Sequence, residues 1–233
     1  MINNVEGGKM VSIIIPVLNE ESSILETLTK LSSLKGEKEI LVVDGGSTDN
    51  TVQLASTMVK VINSPKGRAI QMNAGAKEAT GDILWFVHSD SVIDVNSLKA
   101  IEGTIKDGYI GGGFSLYFYD SNNLFMKYIA FTSNLRGSIA KLFFGDQGIF
   151  VKKEQFWSLG GFPEIAIMED FEFSLRVKKI GKIKKLKTKI GTSSRRFTSG
   201  GIFKTFILMQ KMKVLYMAGV SPEKLNKMYR EVR

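Results

Sequence analysis

The sequence predicts an α/β fold, with a mostly parallel central sheet flanked by helices and with further helices at the C-terminal end. Short runs rich in β-branched residues recur through the first hundred residues, beginning with Val11–Val17. Such runs are typical of strands buried on both faces. Segments with helical spacing separate them, and the connections are short, which is the pattern of parallel βαβ units. The length of 233 residues suits a single domain.

In the first half, apolar runs and capping residues predict four strands and three helices. Asn19 is a candidate cap for the first helix, Ser47 or Thr48 for the second, and a basic loop at 64–68 precedes the third. The strands are expected at 11–17, 39–44, 59–62 and 83–87, and the helices at about 19–35, 47–58 and 68–79.

After residue 106 the pattern changes to a mixture of longer helices and alternating strands. Without an internal repeat or a linker in this part, we expect it to pack on the same sheet, so that 1–233 form one domain. The strands are expected at 111–119, 148–151 and 183–190, and the helices at 122–144, 156–161, 169–179, 202–217 and 222–232.

Composition excludes several classes of protein and site. The chain is 43% hydrophobic and 24% charged, which excludes disorder for most of it. It has no cysteine, which excludes a disulfide scaffold, a cysteine zinc site and a thiol nucleophile. Its one histidine, His88, excludes a site with several histidine ligands.

Charge is distributed unevenly. Residues 1–120 carry 10 basic and 15 acidic side chains, for a net −5, whereas residues 121–233 carry 22 and 8, for a net +14. A basic half favours a polyanionic partner, which would be nucleic acid, anionic lipid headgroups or a phosphorylated substrate. The alternative is a solvated lysine face, which would include Lys178, Lys179, Lys182, Lys184, Lys185, Lys187 and Lys189.

The sequence predicts a cytoplasmic protein that touches a membrane at most at its surface. Residues 1–10 lack an apolar stretch of signal-peptide length, and no apolar run reaches the roughly 20 residues that cross a bilayer. The helix at 202–217 is apolar but interrupted by lysines, so weak binding to anionic lipid is one hypothesis. The alternative is that its large apolar residues, Phe203, Phe206, Leu208 and Leu215, pack into the core.

Polar residues follow three of the predicted parallel strands. Asn19, Asp44 and Asp90 each stand at or just after the carboxyl end of a strand, where open α/β sheets bind their ligands. Asp44 is followed by Gly45 and Gly46, which allow a tight turn and close approach of a ligand. A helix-capping turn is the alternative interpretation, and the absence of a G-x-G-x-x-G spacing disfavours a dinucleotide cofactor.

A basic loop provides a candidate phosphate site. Lys66 and Arg68 flank a glycine, and two cations beside free backbone N–H groups suit a phosphate. An exposed loop without a ligand is the alternative.

Asp90 closes the triplet His88-Ser89-Asp90 after an apolar strand, where a carboxylate is well placed to hold Mg²⁺ or Mn²⁺. Capping the next helix is the alternative for Asp90. His88 is either a second ligand or a structural residue.

Two adjacent carboxylates, Glu169 and Asp170, begin a predicted helix. One of them is a candidate general base that would remove a proton from a hydroxyl group. A favourable interaction with the helix dipole is the alternative.

Taken together and in this order, these motifs are similar to those of a known protein family. The series P-V-L-N-E, V-V-D-G-G-S-T-D, K-G-R with Asn73, a strand ending in a carboxylate, and a late E-D resembles the family 2 glycosyltransferases with the GT-A fold, over about residues 11–180. A narrower similarity is to a small branch of arsenosugar-biosynthesis glycosyltransferases. It is carried by residues 65–75, 145–151, 160–170, 192–196 and 219–223.

The resemblance implies a nucleoside-diphosphate sugar donor, a hydroxyl acceptor and a divalent metal, Mg²⁺ or Mn²⁺. It also implies a nucleotide-binding half at 11–106, an acceptor half at 107–196 and a C-terminal helical appendage at 197–233. Asp90 matches the last carboxylate of a D-x-D motif, Asp170 matches the catalytic base, and His88 stands where most members have Asp. Asp90 is implied to bind both the metal and the diphosphate, and Asp44 to contact the base. The residues implied to lie at the nucleotide or its diphosphate are Pro16, Asn19, Glu20, Asp44, Lys66, Arg68, Asn73 and Asp90.

One carboxylate for metal and one for base is the set that an inverting transferase requires. Two alternatives stay open. A nucleotidyltransferase also uses a parallel sheet and a metal, but releases diphosphate from a nucleoside triphosphate. A non-catalytic module would bind a membrane surface or nucleic acid through the basic half, although we expect no nucleic-acid partner.

Overall fold

The computed structural model describes residues 9–230, which form one eight-stranded sheet flanked by helices. The strand order is β3-β2-β1-β4-β7-β6-β8-β5. The strands are β1 Val11–Val17, β2 Lys38–Asp44, β3 Lys60–Asn63, β4 Ile83–Phe86, β5 Val92–Ile93, β6 Gly111–Phe118, β7 Phe150–Lys152 and β8 Ile183–Thr192. The helices are α1 Ile24–Ser32, α2 Thr51–Ser56, α3 Arg68–Glu78, α4 Ser97–Lys106, α5 Leu124–Ile139, α6 Lys153–Ser158, α7 Glu169–Ile180, α8 Arg195–Gly200, α9 Ile202–Met217 and α10 Pro222–Arg230.

The first half of the chain forms the predicted parallel units. Strand β1 pairs in parallel with β2 on one side and with β4 on the other, and β2 pairs in parallel with β3. Val17 lies opposite Asp44 in this register, so the polar residues that follow β1 and β2 leave the sheet at the same edge.

The second half continues the same sheet in mixed orientation. Strand β7 pairs antiparallel with both β4 and β6, whereas β6 pairs in parallel with β8. Gly112 of β6 allows this close packing, since a Cβ there would lie 2.0 Å from the carbonyl oxygen of Lys184. Both halves of the chain therefore contribute to one sheet.

The core lies on both faces of the sheet because successive residues of a strand point to opposite sides. Ile13 and Ile15 face a cluster formed with α1 and α4, whereas Ile14 faces a cluster formed with α3, α6 and α7. A smaller third cluster lies between β6, α5, α8 and α9. None of the helices in residues 9–230 is both long and apolar enough to span a bilayer.

Some predicted boundaries are wrong for identifiable reasons. Helix α1 begins at Ile24 with Ser23 as its cap, because Asn19 adopts a left-handed conformation (φ 56°) and its side chain binds a neighbouring loop. Helix α2 likewise begins after Asn50 rather than at 47 or 48. The helix predicted at 122–144 ends at Ile139, since Lys141 is also left-handed (φ 55°).

The sequence patterns missed two elements, β5 and α8, which are too short to show a period, and they gave no bounds for helix α4. Helix α10 is described to Arg230, and the predicted continuation to 232 lies outside the described residues.

Candidate active site

The loops that follow β1 and β4 meet at one arginine. The Nη2 atom of Arg195 lies 3.2 Å from Oδ2 of Asp90 and 4.0 Å from Oε2 of Glu20. Helix α4 begins after Asn96, so Asp90 is not the helix cap that its position alone allowed. Glu20 and Asp90, which follow two neighbouring strands, therefore lie close to the same guanidinium group.

Asp44 organises the turn that follows β2. Its carboxylate accepts hydrogen bonds from the backbone N–H of Gly46 (2.8 Å), from that of Ser47 (3.0 Å) and from the Ser47 hydroxyl (2.5 Å). Gly46 has a φ of 93°, which suits a residue without a Cβ. The structure thus gives buried Asp44 a turn-forming role, and its contact with a nucleotide base stays a prediction.

Asn19 and Glu20 tie the loop after β1 to this turn. The side-chain oxygen of Asn19 accepts from Thr48 N–H (2.8 Å), and the Glu20 N–H donates to the Thr51 hydroxyl (2.8 Å). Pro16 lies in β1 opposite Val43. The loops after β1 and β2 therefore form one hydrogen-bonded unit at the sheet edge.

A side chain of helix α3 binds the carboxyl ends of β1 and β2. The side-chain amide of Gln71 donates to the carbonyl of Val17, the last residue of β1 (2.8 Å), and to that of Val43, the next-to-last residue of β2 (2.9 Å). Asn73 exchanges two hydrogen bonds of 2.9 Å with the backbone of Phe162. Its side chain has a structural role, and its proximity to a nucleotide stays a prediction.

The two cations of the basic loop have different surroundings. Lys66 is exposed ahead of α3. Arg68 donates through Nε to Oε1 of Glu169, and its Nη2 lies 3.4 Å from Oδ2 of Asp170. Burial acts to lower the pKa of Arg68, but attraction by Glu169 and Asp170 outweighs it, and the pKa is raised. Arg68 therefore holds the two carboxylates of α7, a contact that the sequence did not predict.

Asp170 is held at two points and buried. It is 4% exposed. Its Oδ2 accepts from Gly145 N–H and its Oδ1 from Phe171 N–H, both at 2.7 Å. Burial raises the pKa of Asp170 to about 6, with Arg68 opposing and Glu169 adding to the rise. Such a carboxylate is largely ionised at neutral pH yet more basic than an exposed one, which suits proton abstraction.

His88 lies beside Gly145, the residue whose N–H binds Asp170. A Cβ placed on Gly145 would be 2.8 Å from Nε2 of His88 and 3.4 Å from Oδ2 of Asp170. That Nε2 is buried and makes no hydrogen bond with the described residues. Burial, and then the positive charges of Arg68 and Arg196, lower the pKa of His88 to about 3. The imidazole is therefore neutral, with a nitrogen lone pair available.

Sequence reasoning missed the charges around the turn Gly145–Gln147. Burial raises the pKa of Asp146, although Arg136, Arg196 and Arg68 oppose the shift. Arg136 also donates to the side-chain oxygen of Gln147 (2.6 Å). Asp146 and Arg196 lie in two stretches that carry the narrower resemblance, but nothing in their spacing indicated a role.

Comparison with known proteins agrees with this architecture. Residues 12–159 match the family Glycosyl transferase family 2. The glycosyltransferase AglE of Haloferax volcanii is 28% identical over 177 residues, which are 66% of this chain and 56% of that protein.

Two solved structures share the fold. S. aureus TarS 1–349 in complex with UDP-GlcNAc superposes with a TM-score of 0.60 at 22% identity, over 79% of this chain and 58% of that one. The mannosyltransferase PcManGT from Pyrobaculum calidifontis, in complex with GDP-Man and Mn²⁺, gives 0.62 at 19% identity, over 78% and 56%. The chain spans little more than half the length of each of these three proteins.

The predicted GT-A fold is confirmed by these structures. The family match covers more than half of the chain and includes the loops after β1, β2 and β4. The narrower resemblance to the arsenosugar branch stays a prediction. This chain belongs to glycosyl transferase family 2.

Proposed function

We propose that the chain is an inverting glycosyltransferase, which transfers a sugar from a nucleoside-diphosphate sugar to a hydroxyl group. The observation that carries the proposal is Asp170, a buried carboxylate with a pKa raised to about 6 beside the ligand-binding edge of the sheet. Family membership makes transfer of a sugar the expected chemistry.

Asp170 would act as the general base. As the acceptor oxygen forms its bond to the anomeric carbon, the acceptor proton passes to a carboxylate oxygen of Asp170, and the bond from the anomeric carbon to the diphosphate breaks. Attack opposite the leaving group inverts the anomeric centre and needs a single base. The Gly145 N–H and the Arg68 guanidinium fix the orientation of this carboxylate.

Glu169 is better suited to positioning than to proton transfer. It is buried, and Oε1 accepts from Nε of Arg68. Arg68 thereby remains beside Asp170 and counters the negative charge of the pair. We therefore assign Glu169 a supporting role.

The donor would lie against the joined loops after β1 and β2. TarS binds UDP-GlcNAc and the Pyrobaculum mannosyltransferase binds GDP-Man, so a nucleotide sugar is the donor class that the relatives support. In this chain Pro16, Asn19, Glu20 and Asp44 would border the nucleoside. The exposed Lys66 would supply positive charge near the diphosphate.

A divalent ion is compatible with the residues present. His88 is neutral and its buried Nε2 has no hydrogen-bond partner in the described structure. Asp90 would provide the carboxylate, although Arg195 contacts it here. Residues 9–230 contain no cluster of three or more His, Cys, Asp or Glu side chains suited to a metal, so donor oxygens and water would complete the shell. When bound, the ion would offset negative charge on the leaving diphosphate.

A thermal-shift screen tests the proposal. The Tm of the protein is measured in the presence of UDP, GDP or one of their sugars, and each ligand is tested with Mn²⁺, with Mg²⁺ and with a chelator. A ligand at 100 times its Kd adds about 2.7 kcal/mol of stability, which corresponds to a Tm increase of roughly 5–11 °C for a domain of this size.

A matched set of nucleoside monophosphates and triphosphates serves as the control. We expect a nucleoside diphosphate or its sugar to give the largest metal-dependent shift. A shift confined to a triphosphate, accompanied by release of diphosphate, would instead identify a nucleotidyltransferase.

A further inference from the structure

Helix α5 exposes an apolar stripe. Leu124 is 81% exposed and Phe131 is 62% exposed. Residues three or four apart lie on one face of a helix. The face that a helix turns to solvent is normally polar. The exposed apolar residues of α5 keep to that spacing and are Leu124, Tyr128, Phe131, Leu135 and Ile139.

Helix α9 exposes a second stripe, which meets the first. Its exposed apolar residues are Phe203, Ile207, Val214 and Met217, again on one helical face. The buried side of α9 packs in the core through Phe206 and Met209. The ring of Phe125 lies 5.8 Å from that of Tyr128 and 5.6 Å from that of Phe203, so the stripes adjoin. We call these exposed residues the α5–α9 surface.

Every charged side chain on α5 and α9 is positive. The exposed lysines are Lys127, Lys204 and Lys211, and neither helix contains Asp or Glu. Long lysine side chains can lie along apolar surface while their ammonium groups reach a polar layer. An exposed apolar surface bordered by lysines can lie in the interface of a membrane, with the apolar residues inserted and the lysines at the headgroups.

We propose that the α5–α9 surface docks onto the headgroup layer of a bilayer that contains anionic phospholipids. Apolar residues would enter the boundary between headgroups and acyl chains, and the lysines would face lipid phosphates. A second copy of this chain fits less well, because a two-fold contact would bring the lysines of both copies together. The net +14 of residues 121–233 adds to that repulsion.

Docking would place the candidate active site close to the membrane. The Tyr216 hydroxyl of α9 donates to Oε2 of Glu172 (2.9 Å), and its ring lies 6.0 Å from that of Phe171. Both partners belong to α7, which carries Asp170. Helix α9, about 10–12 Å in diameter, would thus separate the lipid headgroups from α7, the helix that carries Asp170.

Vesicle cosedimentation tests the docking. The full chain is mixed with phosphatidylcholine vesicles, with or without 30% phosphatidylglycerol by composition, at low and at high salt. We expect binding to the mixed vesicles at low salt and a loss of roughly tenfold or more at high salt, because the lysine contribution is screened. Lys204→Gln with Lys211→Gln should weaken binding about tenfold or more, since each lysine contributes about fivefold.

The apolar contribution is tested by Phe131→Ser combined with Phe203→Ser. Both side chains are exposed, so we expect an unchanged Tm and at least tenfold weaker vesicle binding. The control is Val95→Ser, at a residue that is 73% exposed on the first half of the chain, and it should bind like wild type.

Three results would overturn the proposal. One is no binding at low salt, and another is equal binding by the double phenylalanine variant and by wild type. The third is a dimer in analytical ultracentrifugation that the phenylalanine variant abolishes, without vesicle binding, since the surface would then join two copies.

Discussion

Replacing Asp170 by Asn should stop sugar transfer and change how stability depends on pH. Burial raises the pKa of this carboxyl to about 6 from an ordinary value of 3.8. The charged groups around it are Arg68, Glu169, Asp146 and Arg136. Because the pKa is higher in the folded state, the protonated carboxyl stabilises the fold at low pH. That contribution is lost as the pH rises through about 6.

The size of this effect follows from the pKa difference. A shift of about two units corresponds to about 3 kcal/mol in total, and about 2 kcal/mol of it is lost between pH 4 and pH 8. Asparagine does not ionise, so the variant should not show this loss. It also cannot accept hydrogen bonds from both Gly145 and Phe171, but that penalty, about 1–3 kcal/mol, is the same at both pH values.

The measurement is the Tm of wild type and of Asp170→Asn between pH 4 and pH 8. At roughly 2–4 °C per kcal/mol, the Tm of the variant relative to wild type should rise by about 4–8 °C from the acidic to the alkaline end. The exposed Asp82 provides the control, and Asp82→Asn should show no such rise. A Tm difference that stays constant with pH would refute the burial argument.

Three further predictions concern the rest of the site, and each is tested by substitution. Asp90→Ala should lose metal-dependent donor binding in calorimetry, and His88→Ala should lose less; unchanged metal dependence in Asp90→Ala would remove the metal assignment. Gly145→Ala places a methyl 2.8 Å from the imidazole and should lower turnover about 10–100-fold by displacing the base. Gly103→Ala, where nothing lies within 4 Å, should instead raise stability by about 0.5–1 kcal/mol. Glu169→Gln should lower stability by about 1–3 kcal/mol, with a smaller loss of turnover than Asp170→Asn. An equal loss in both would assign proton transfer to the pair.

The parallel half of the sheet is predictable from sequence because its cause is local. Strand β1 is a run of β-branched residues, and such a run is stable only when buried on both faces. The short connections then set the parallel order, and the polar residues after each strand arrive at one edge. Asn19 departs from its predicted capping role because its partner, Thr48, comes from a different loop.

The sequence indicates candidate residues for the site, but it does not indicate the contacts between them. Asp170 is a recognisable base candidate, yet its partners Arg68 and Gly145 are 102 and 25 residues away in sequence. No local pattern shows that Asp170 will be buried beside Arg68, and burial is what raises its pKa. The apolar stripes of α5 and α9 are similarly ambiguous, because helical spacing alone does not say which face meets the core.

Hydrolysis of the donor by water tests the central claim most directly, because it needs no knowledge of the acceptor. The assay follows release of nucleoside diphosphate from UDP- and GDP-sugars with Mn²⁺, in wild type and in Asp170→Asn, alongside donor binding by calorimetry. We predict release with at least one donor and a loss of about 10²–10⁴-fold in the variant, with donor affinity within about threefold of wild type. Release by Asp170→Asn within about threefold of wild type, well below the loss expected for a general base, would contradict the assignment.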